Sequence, residues 1–308
     1  MTERPLRYSS REYVRPPQGF CAGCGVALAL RYFLKAMGSR IVLVMPPGCA
    51  APSVLFPRRS LIDQGRLIDI VACPFGSTAI FAGGIKTALL ARGDPETQVV
   101  CWAGDGATFD IGLSGLSAAA ERNEDILYVC YDNEAYMNTG NQRSSATPRG
   151  ARTSTNRPPA VKGETKKDLM WMMMGHGIPY GATATIAYPD DLMAKVNKAK
   201  GIKGFRFFHV LTPCVPGWGY EQERTVEISR LAVQTRAFPL FEIEGQSLVI
   251  NKNPKPRKLE EFIGDQGRFN DLTEADVQRF QEEVERRWNK LNHMAGFTEV
   301  PAATPAGR

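Results

Sequence analysis

No stretch of this 308-residue sequence approaches the apolar length a bilayer span needs, and the residues after Met1 form no apolar leader. A membrane anchor and a secretory signal are therefore not expected, and the chain is read as cytoplasmic. Basic runs interleaved with aromatics are missing too. The net charge of +6 thus makes no case for nucleic acid, and a basic rim around an anionic cofactor or an acidic partner accounts for it as well. Histidine is scarce, at three residues. Neither His176 nor His209 has a partner at metal or nucleophile spacing, and both read as structural, His209 especially because its surroundings are apolar. The seven cysteines are an odd number with no leader. That argues against a disulfide framework and for thiols that are free or metal-bound.

What is present suits an ordinary globular chain of one or two domains, 43% apolar and 23% charged. Apolar runs at 41–45, 99–102, 126–131, 180–185 and 205–211 read as buried strands. Helical patterns begin after Cys24 and close near Gly38, then recur within 76–92 and over 110–122, 166–175 and 190–200. The alternation predicts an α/β fold, a mostly parallel sheet with helices on both faces, whose ligands bind at the carboxyl ends of the strands.

At one such end stands Gly104-Asp105-Gly106, and the next strand ends in Asp132-Asn133-Glu134. Glycines let backbone approach an anion, a helix start offers free N–H groups to phosphate, and a carboxylate between them can hold a divalent metal. Alone, the Gly-Asp-Gly triplet also fits plain turn geometry. Paired with Asn133 it has the spacing of the thiamine diphosphate and magnesium motif. In that arrangement Asp105, the Asn133 side chain and a backbone carbonyl near Ala135 are three hard oxygen ligands for Mg²⁺.

Cys21 and Cys24 open the first helix, where the helix dipole suits a thiol to metal ligation. Cys49 and Cys214 follow strand runs in loops and complete a possible set of four, whereas Cys101, Cys130 and Cys73 read as small core residues. Four thiols suit zinc or an iron–sulfur cluster, and spacing alone does not decide, although one close pair plus two scattered loop cysteines inclines to the cluster.

The small-residue helix after Gly76 reads as a tightly packed internal one. The polar stretch 136–164 is long for a compact domain and reads as a functional loop. Beyond it, residues 252–258 are basic, carry Pro254 and Pro256, and suggest an extended strap. Thr273 and Asp276 form a capping pair for a helix over about 273–292, with Val277, Phe280, Val284 and Trp288 on one docking face. The chain is expected to divide into a cofactor-binding domain over 1–245 and a C-terminal extension over 246–308, disordered after Phe297.

Several of these stretches together, namely Cys21-Ala22-Gly23-Cys24-Gly25, Gly48-Cys49, Gly104-Asp105-Gly106 with Asp110-Ile111-Gly112, residues 131–140, residues 142–148 and Pro213-Cys214 with Pro216-Gly217-Trp218, resemble the β subunit of the 2-oxoacid:ferredoxin oxidoreductases, the pyruvate-type branch most closely. The likeness covers about the first 245 residues and returns at 266–269. It implies a subunit carrying thiamine diphosphate, Mg²⁺ and one [4Fe-4S] cluster. By that resemblance Cys21, Cys24, Cys49 and Cys214 would bind the cluster, and Asp105, Asn133 and the Ala135 carbonyl would hold magnesium. Gly104 and Gly106 would lie beside the diphosphate, and Asn138 would donate to the substrate carbonyl. Phe20 and Val26 depart from common family patterns and bear on substrate and finer cofactor contacts.

The implied reaction is oxidative decarboxylation of a 2-oxoacid, with one-electron transfers through the cluster to ferredoxin and the acyl group passing to coenzyme A. No residue here offers the carboxylate that would activate the cofactor. The resemblance assigns it to a partner α subunit, with γ and δ or ferredoxin-type subunits completing the complex. The rival readings are a cluster-free thiamine diphosphate decarboxylase or carboligase subunit, a family member acting on oxalate or an aryl glyoxylate, and a non-enzymatic assembly subunit, against which the intact Asp105, Asn133 and Asn138 argue.

Overall fold

A parallel strand covered on both faces is apolar along its whole length, because successive side chains enter opposite layers. The computed structural model of the chain describes residues 11–13, 19–51, 68–245 and 247–296. Among them, eight strands form one sheet: β1 (Ile41–Met45), β2 (Asp69–Ala72), β3 (Gln98–Gly104), β4 (Leu127–Asp132), β5 (Tyr180–Thr185), β6 (Arg206–Leu211), β7 (Phe241–Glu244) and β8 (Ser247–Ile250). Their order is β2-β1-β3-β4-β6-β5-β7-β8. Pairing is parallel from β2 through β5, and β7 and β8 extend the sheet antiparallel.

On β3, Val100 and Trp102 enter one apolar layer with Phe33 and Leu34 of the Gly25–Met37 helix and Val196 of the Pro189–Lys200 helix. Val99 and Cys101 enter the opposite layer with Ala82 of the Thr78–Ala91 helix, Leu116 and Met170. The expected fold class, a mostly parallel sheet with helices on both faces, is what these residues build. Cys73, Cys101 and Cys130 all lie buried in the second layer, as their apolar surroundings predict.

Several expectations need correction. The helix expected over 110–122 is interrupted: Gly106–Asp110 makes a single π-helical turn and the α-helix runs Leu113–Glu121. Backbone crowding accompanies the break, since a Cβ at Gly112 would lie 2.1 Å from the Ala107 carbonyl oxygen. The helix expected from Lys166 begins at Leu169, because Lys166 and Lys167 turn inward to bond Asp132, Glu134 and the Phe109 carbonyl. Strand β2 and the β7–β8 hairpin were not anticipated. The division expected at 245 falls in that hairpin's turn, and the sheet runs on to Ile250.

The terminal helix spans Glu274–Met294, capped by Thr273, whose hydroxyl accepts from the Asp276 N–H at 3.2 Å. It docks on this chain: Phe280 and Val284 enter a third apolar cluster around Trp218, while Trp288 and Leu291 reach the sheet layer. The expectation of disorder after Phe297 lies outside the described residues. No helix among the described residues is long and apolar enough to cross a membrane.

Candidate active site

Parallel pairing brings the carboxyl ends of β1, β3, β4 and β6 side by side, and with them Cys49, Asp105, Asn133 and Cys214. Gly104, Asp105, Gly106, Asn133, Ala135, Asn138 and Cys49 line one cavity of about 210 Å³, which Phe75, Tyr131, Tyr136 and Met137 make largely apolar. Two glycines are sterically required. A Cβ at Gly106 would come within 2.4 Å of the Tyr136 ring, and one at Gly48 within 2.5 Å of the Tyr131 hydroxyl.

Asp105 is 1% exposed, and Ser144 donates to its Oδ2 at 2.5 Å. Burial, reinforced by the charge of Asp132, pushes the Asp105 carboxyl well above the usual range. Asp132 behaves oppositely: burial is outweighed by the Lys166 ammonium and by His209, which hold it below the usual range. A buried carboxyl that ionises only at a cost is a group awaiting a cation.

The Asn133 amide admits two orientations, and hydrogen-bond partners alone assign them. With its nitrogen toward the site it donates to Asp105 Oδ1 at 3.0 Å and to the Ala135 carbonyl at 2.9 Å. With its oxygen there, three oxygens converge at those separations, and the amide nitrogen reaches Cys49 Sγ at 3.7 Å. An octahedral metal with bonds of 2.0–2.1 Å places neighbouring oxygens roughly 2.9 Å apart. The donor set therefore fits a small hard cation in the second orientation, and fits itself in the first.

A second cavity, of about 230 Å³, is lined by Cys21, Cys24, Cys49 and Cys214, and it shares Asn133, Met137 and Asn138 with the first. Cys24 and Cys214 each sit at the N-cap of a helix, Gly25–Met37 and the short Val215–Trp218. The Gly25 N–H donates to the Pro213 carbonyl at 3.2 Å, tying the two caps together. Burial, with the neighbouring thiols adding to it, pushes Cys49 up to about 12, and burial does the same for Cys214. Ligation there would have to displace protons. Among the described residues no three His, Cys, Asp or Glu side chains close on a single point. The thiols instead surround a space.

The 136–164 loop packs into the site rather than hanging from it. Tyr136 donates to Asp110 at 2.9 Å, Thr147 donates to the Glu134 carbonyl at 2.7 Å, and Ser144 braces Asp105. His209 lies 2.6 Å from Asp132, a supporting contact consistent with its structural reading. Ser144, Lys166 and Arg268 were not singled out as site residues by sequence reasoning. The signals available were the polar run 142–148 and the return of family resemblance at 266–269.

A strand-end Gly-Asp-Gly, an Asn at the adjacent strand end and an apolar cleft between them define a thiamine diphosphate enzyme by class. Residues 54–210 match the family described as thiamine pyrophosphate enzyme, C-terminal TPP binding domain. Pyruvate synthase subunit PorB from Methanothermobacter marburgensis is 41% identical, covering 91% of this chain and 97% of its own. Ketoisovalerate oxidoreductase subunit VorB from Pyrococcus furiosus is 44% identical, covering 89% and 91%. A solved 2-oxoglutarate:ferredoxin oxidoreductase from Magnetococcus marinus shares the fold, with a TM-score of 0.57 at 18% identity over 88% of this chain and 97% of that one. The chain belongs to the β-subunit family of the 2-oxoacid:ferredoxin oxidoreductases.

Proposed function

We infer that this chain binds thiamine diphosphate through Mg²⁺, carries one [4Fe-4S] cluster, and takes part in the oxidative decarboxylation of a 2-oxoacid. The observation that carries this reading is the double role open to Asn133: its oxygen completes a set with Asp105 and the Ala135 carbonyl, while its nitrogen faces Cys49 in the thiol cavity. One residue thus joins a site suited to a hard cation to a site of four soft donors. Pyruvate synthase and ketoisovalerate oxidoreductase are named among the relatives, so a short 2-oxoacid is the substrate class.

Asp105, Asn133 and the Ala135 carbonyl would hold the magnesium, Gly104 and Gly106 would let the backbone approach the diphosphate, and Cys21, Cys24, Cys49 and Cys214 would hold the cluster. When bound, thiamine diphosphate supplies a nucleophilic carbon and an electron sink for decarboxylation, and the cluster supplies a one-electron acceptor beside it. Asn138 lines both cavities and is placed to donate to the substrate carbonyl. Phe75, Tyr136 and Met137 exclude water. Asp105 is the one acidic side chain among the described residues lining the cofactor cavity, and the metal claims it. The activating carboxylate then comes from a partner α subunit, with γ and δ or ferredoxin-type subunits passing electrons to ferredoxin and coenzyme A taking the acyl group.

The test is anaerobic addition of a panel of 2-oxoacids to the native complex with thiamine diphosphate and Mg²⁺, with and without coenzyme A, following the visible iron–sulfur absorbance. Bleaching by one acid, completed in the presence of coenzyme A, is expected. No bleaching by any acid, in a protein without iron, overturns the oxidoreductase reading.

A further inference from the structure

Arg268 belongs to the C-terminal part of the chain, yet it is 4% exposed and lies behind the site. Its guanidinium sits 3.7 Å above the Trp218 ring, and its Nη1 lies 2.7 Å from Glu134 Oε2. Both contacts lead to the same place. Trp218 donates its indole N–H to the Asn133 carbonyl at 2.8 Å, and its backbone N–H to the Cys214 carbonyl at 2.8 Å. Glu134 follows Asn133 and holds a left-handed backbone at φ +68°, a conformation that side chains other than glycine keep only when their surroundings impose it. Lys166 grips the other Glu134 oxygen at 2.7 Å.

We propose that Arg268 is a positioning residue for both halves of the site: through Glu134 and Trp218 it fixes the Asn133 turn, and its charge, stacked on the ring four residues after Cys214, raises the reduction potential of the group held by the four thiols. The proposal rests on the cluster reading given under Proposed function. A buried cation stabilises the reduced, more negative state of a redox centre nearby, because little solvent screens the interaction. The charged and titratable groups packed around Arg268 are Glu134, Asp132 and Tyr220, with Lys166 beyond the two carboxylates. Cys214 feels the Arg268 charge directly.

The test compares Arg268→Gln, Arg268→Lys and Glu134→Gln in the native complex prepared without oxygen, reading iron content and the midpoint potential by redox titration of the visible and electron paramagnetic resonance signals. Arg268→Gln is expected to keep its iron and shift the midpoint downward by ~59 mV, the equivalent of a tenfold change in the one-electron equilibrium. Arg268→Lys, which keeps the charge, is expected to restore most of the potential while still binding thiamine diphosphate and Mg²⁺ more weakly than wild type. Glu134→Gln removes a neighbouring negative charge and is expected to shift the midpoint upward. Opposite signs at two partners of one ion pair are not what general loosening of the fold would give. An iron-replete Arg268→Gln whose midpoint is unmoved overturns the proposal. Should that variant lose its iron, an unmoved midpoint in Glu134→Gln overturns it equally. A wild-type complex without iron would instead defeat the cluster reading itself, a separate result.

Discussion

Ser144→Ala isolates the bond that braces the proposed metal carboxylate. Ser144 Oγ lies 2.5 Å from Asp105 Oδ2, both residues are buried, and the alanine removes one hydroxyl without touching any ligand. A hydrogen bond to a charged group is worth about 1.5–3 kcal/mol and one to a neutral group about 0.5–1.5 kcal/mol. In the metal-free protein burial favours the neutral carboxyl, whereas metal binding requires the carboxylate. The bond is therefore stronger in the loaded state, and the difference of about 1–1.5 kcal/mol is what affinity reads, or about a five- to tenfold weakening. The remaining ~1 kcal/mol is shared by both states and appears as lost stability of the metal-free fold. The assay is calorimetric titration of metal-free complex with Mg²⁺ at saturating thiamine diphosphate, beside denaturant unfolding of the same samples. A variant that loses stability while binding Mg²⁺ within twofold of wild type would refute the reasoning and leave Ser144 a purely structural residue.

Asn133→Ala deletes an oxygen from the proposed metal set and is expected to weaken Mg²⁺ and thiamine diphosphate binding together by at least tenfold; independent losses in the two titrations would contradict a shared site. Cys214→Ala is expected to abolish iron retention while circular dichroism shows the fold intact, and full iron content would remove Cys214 from the ligand set. Lys162 is 4% exposed and donates to the carbonyls of Ser145 and Thr147, and burial first, then Arg143 and Lys166, lower its pKa from 10.5 to about 8. Between about pH 8 and 10.5 the unfolded chain thus binds a proton that the folded chain does not, so this residue makes stability rise with pH across that window. Urea midpoints of wild type and Lys162→Met at pH 7.5 and 9.5 check this; an equal pH response in both proteins counts against it.

Much of the site was legible because its chemistry is local in sequence. Gly104, Asp105 and Gly106 are adjacent, and Asn133 ends the strand paired with theirs, so one parallel register places the proposed metal donors. The strands β1, β3, β4, β5 and β6 were legible because burial on both faces writes an unbroken apolar run. Edge strands carry no such signal. β2 is partly exposed along its length and β8 alternates exposed and buried residues, so both resemble loop or surface sequence until their neighbours are known. The break at Gly106–Asp110 was hidden for a different reason: it accompanies contact with Tyr136 and close approach of backbone, neither of which periodicity records.

The supporting residues were invisible for the most instructive reason. Arg268 lies 134 positions from Glu134 in sequence and a hydrogen-bond length from it in space, and no local pattern marks a buried arginine as anything but a surface charge. Its partners explain why it is tolerated. An isolated guanidinium would not survive burial, but here two cations, Arg268 and Lys166, face two carboxylates, Glu134 and Asp132, so the charges on these four groups cancel before His209 is considered. Such a set is costly to break at any one member. It is therefore well suited to hold still the short segment 132–135, whose middle residue must present an oxygen to one cavity and a nitrogen to another. The strand ends bring the donors near each other; the buried charges, contributed by a loop and by the C-terminal extension, fix which way Asn133 faces.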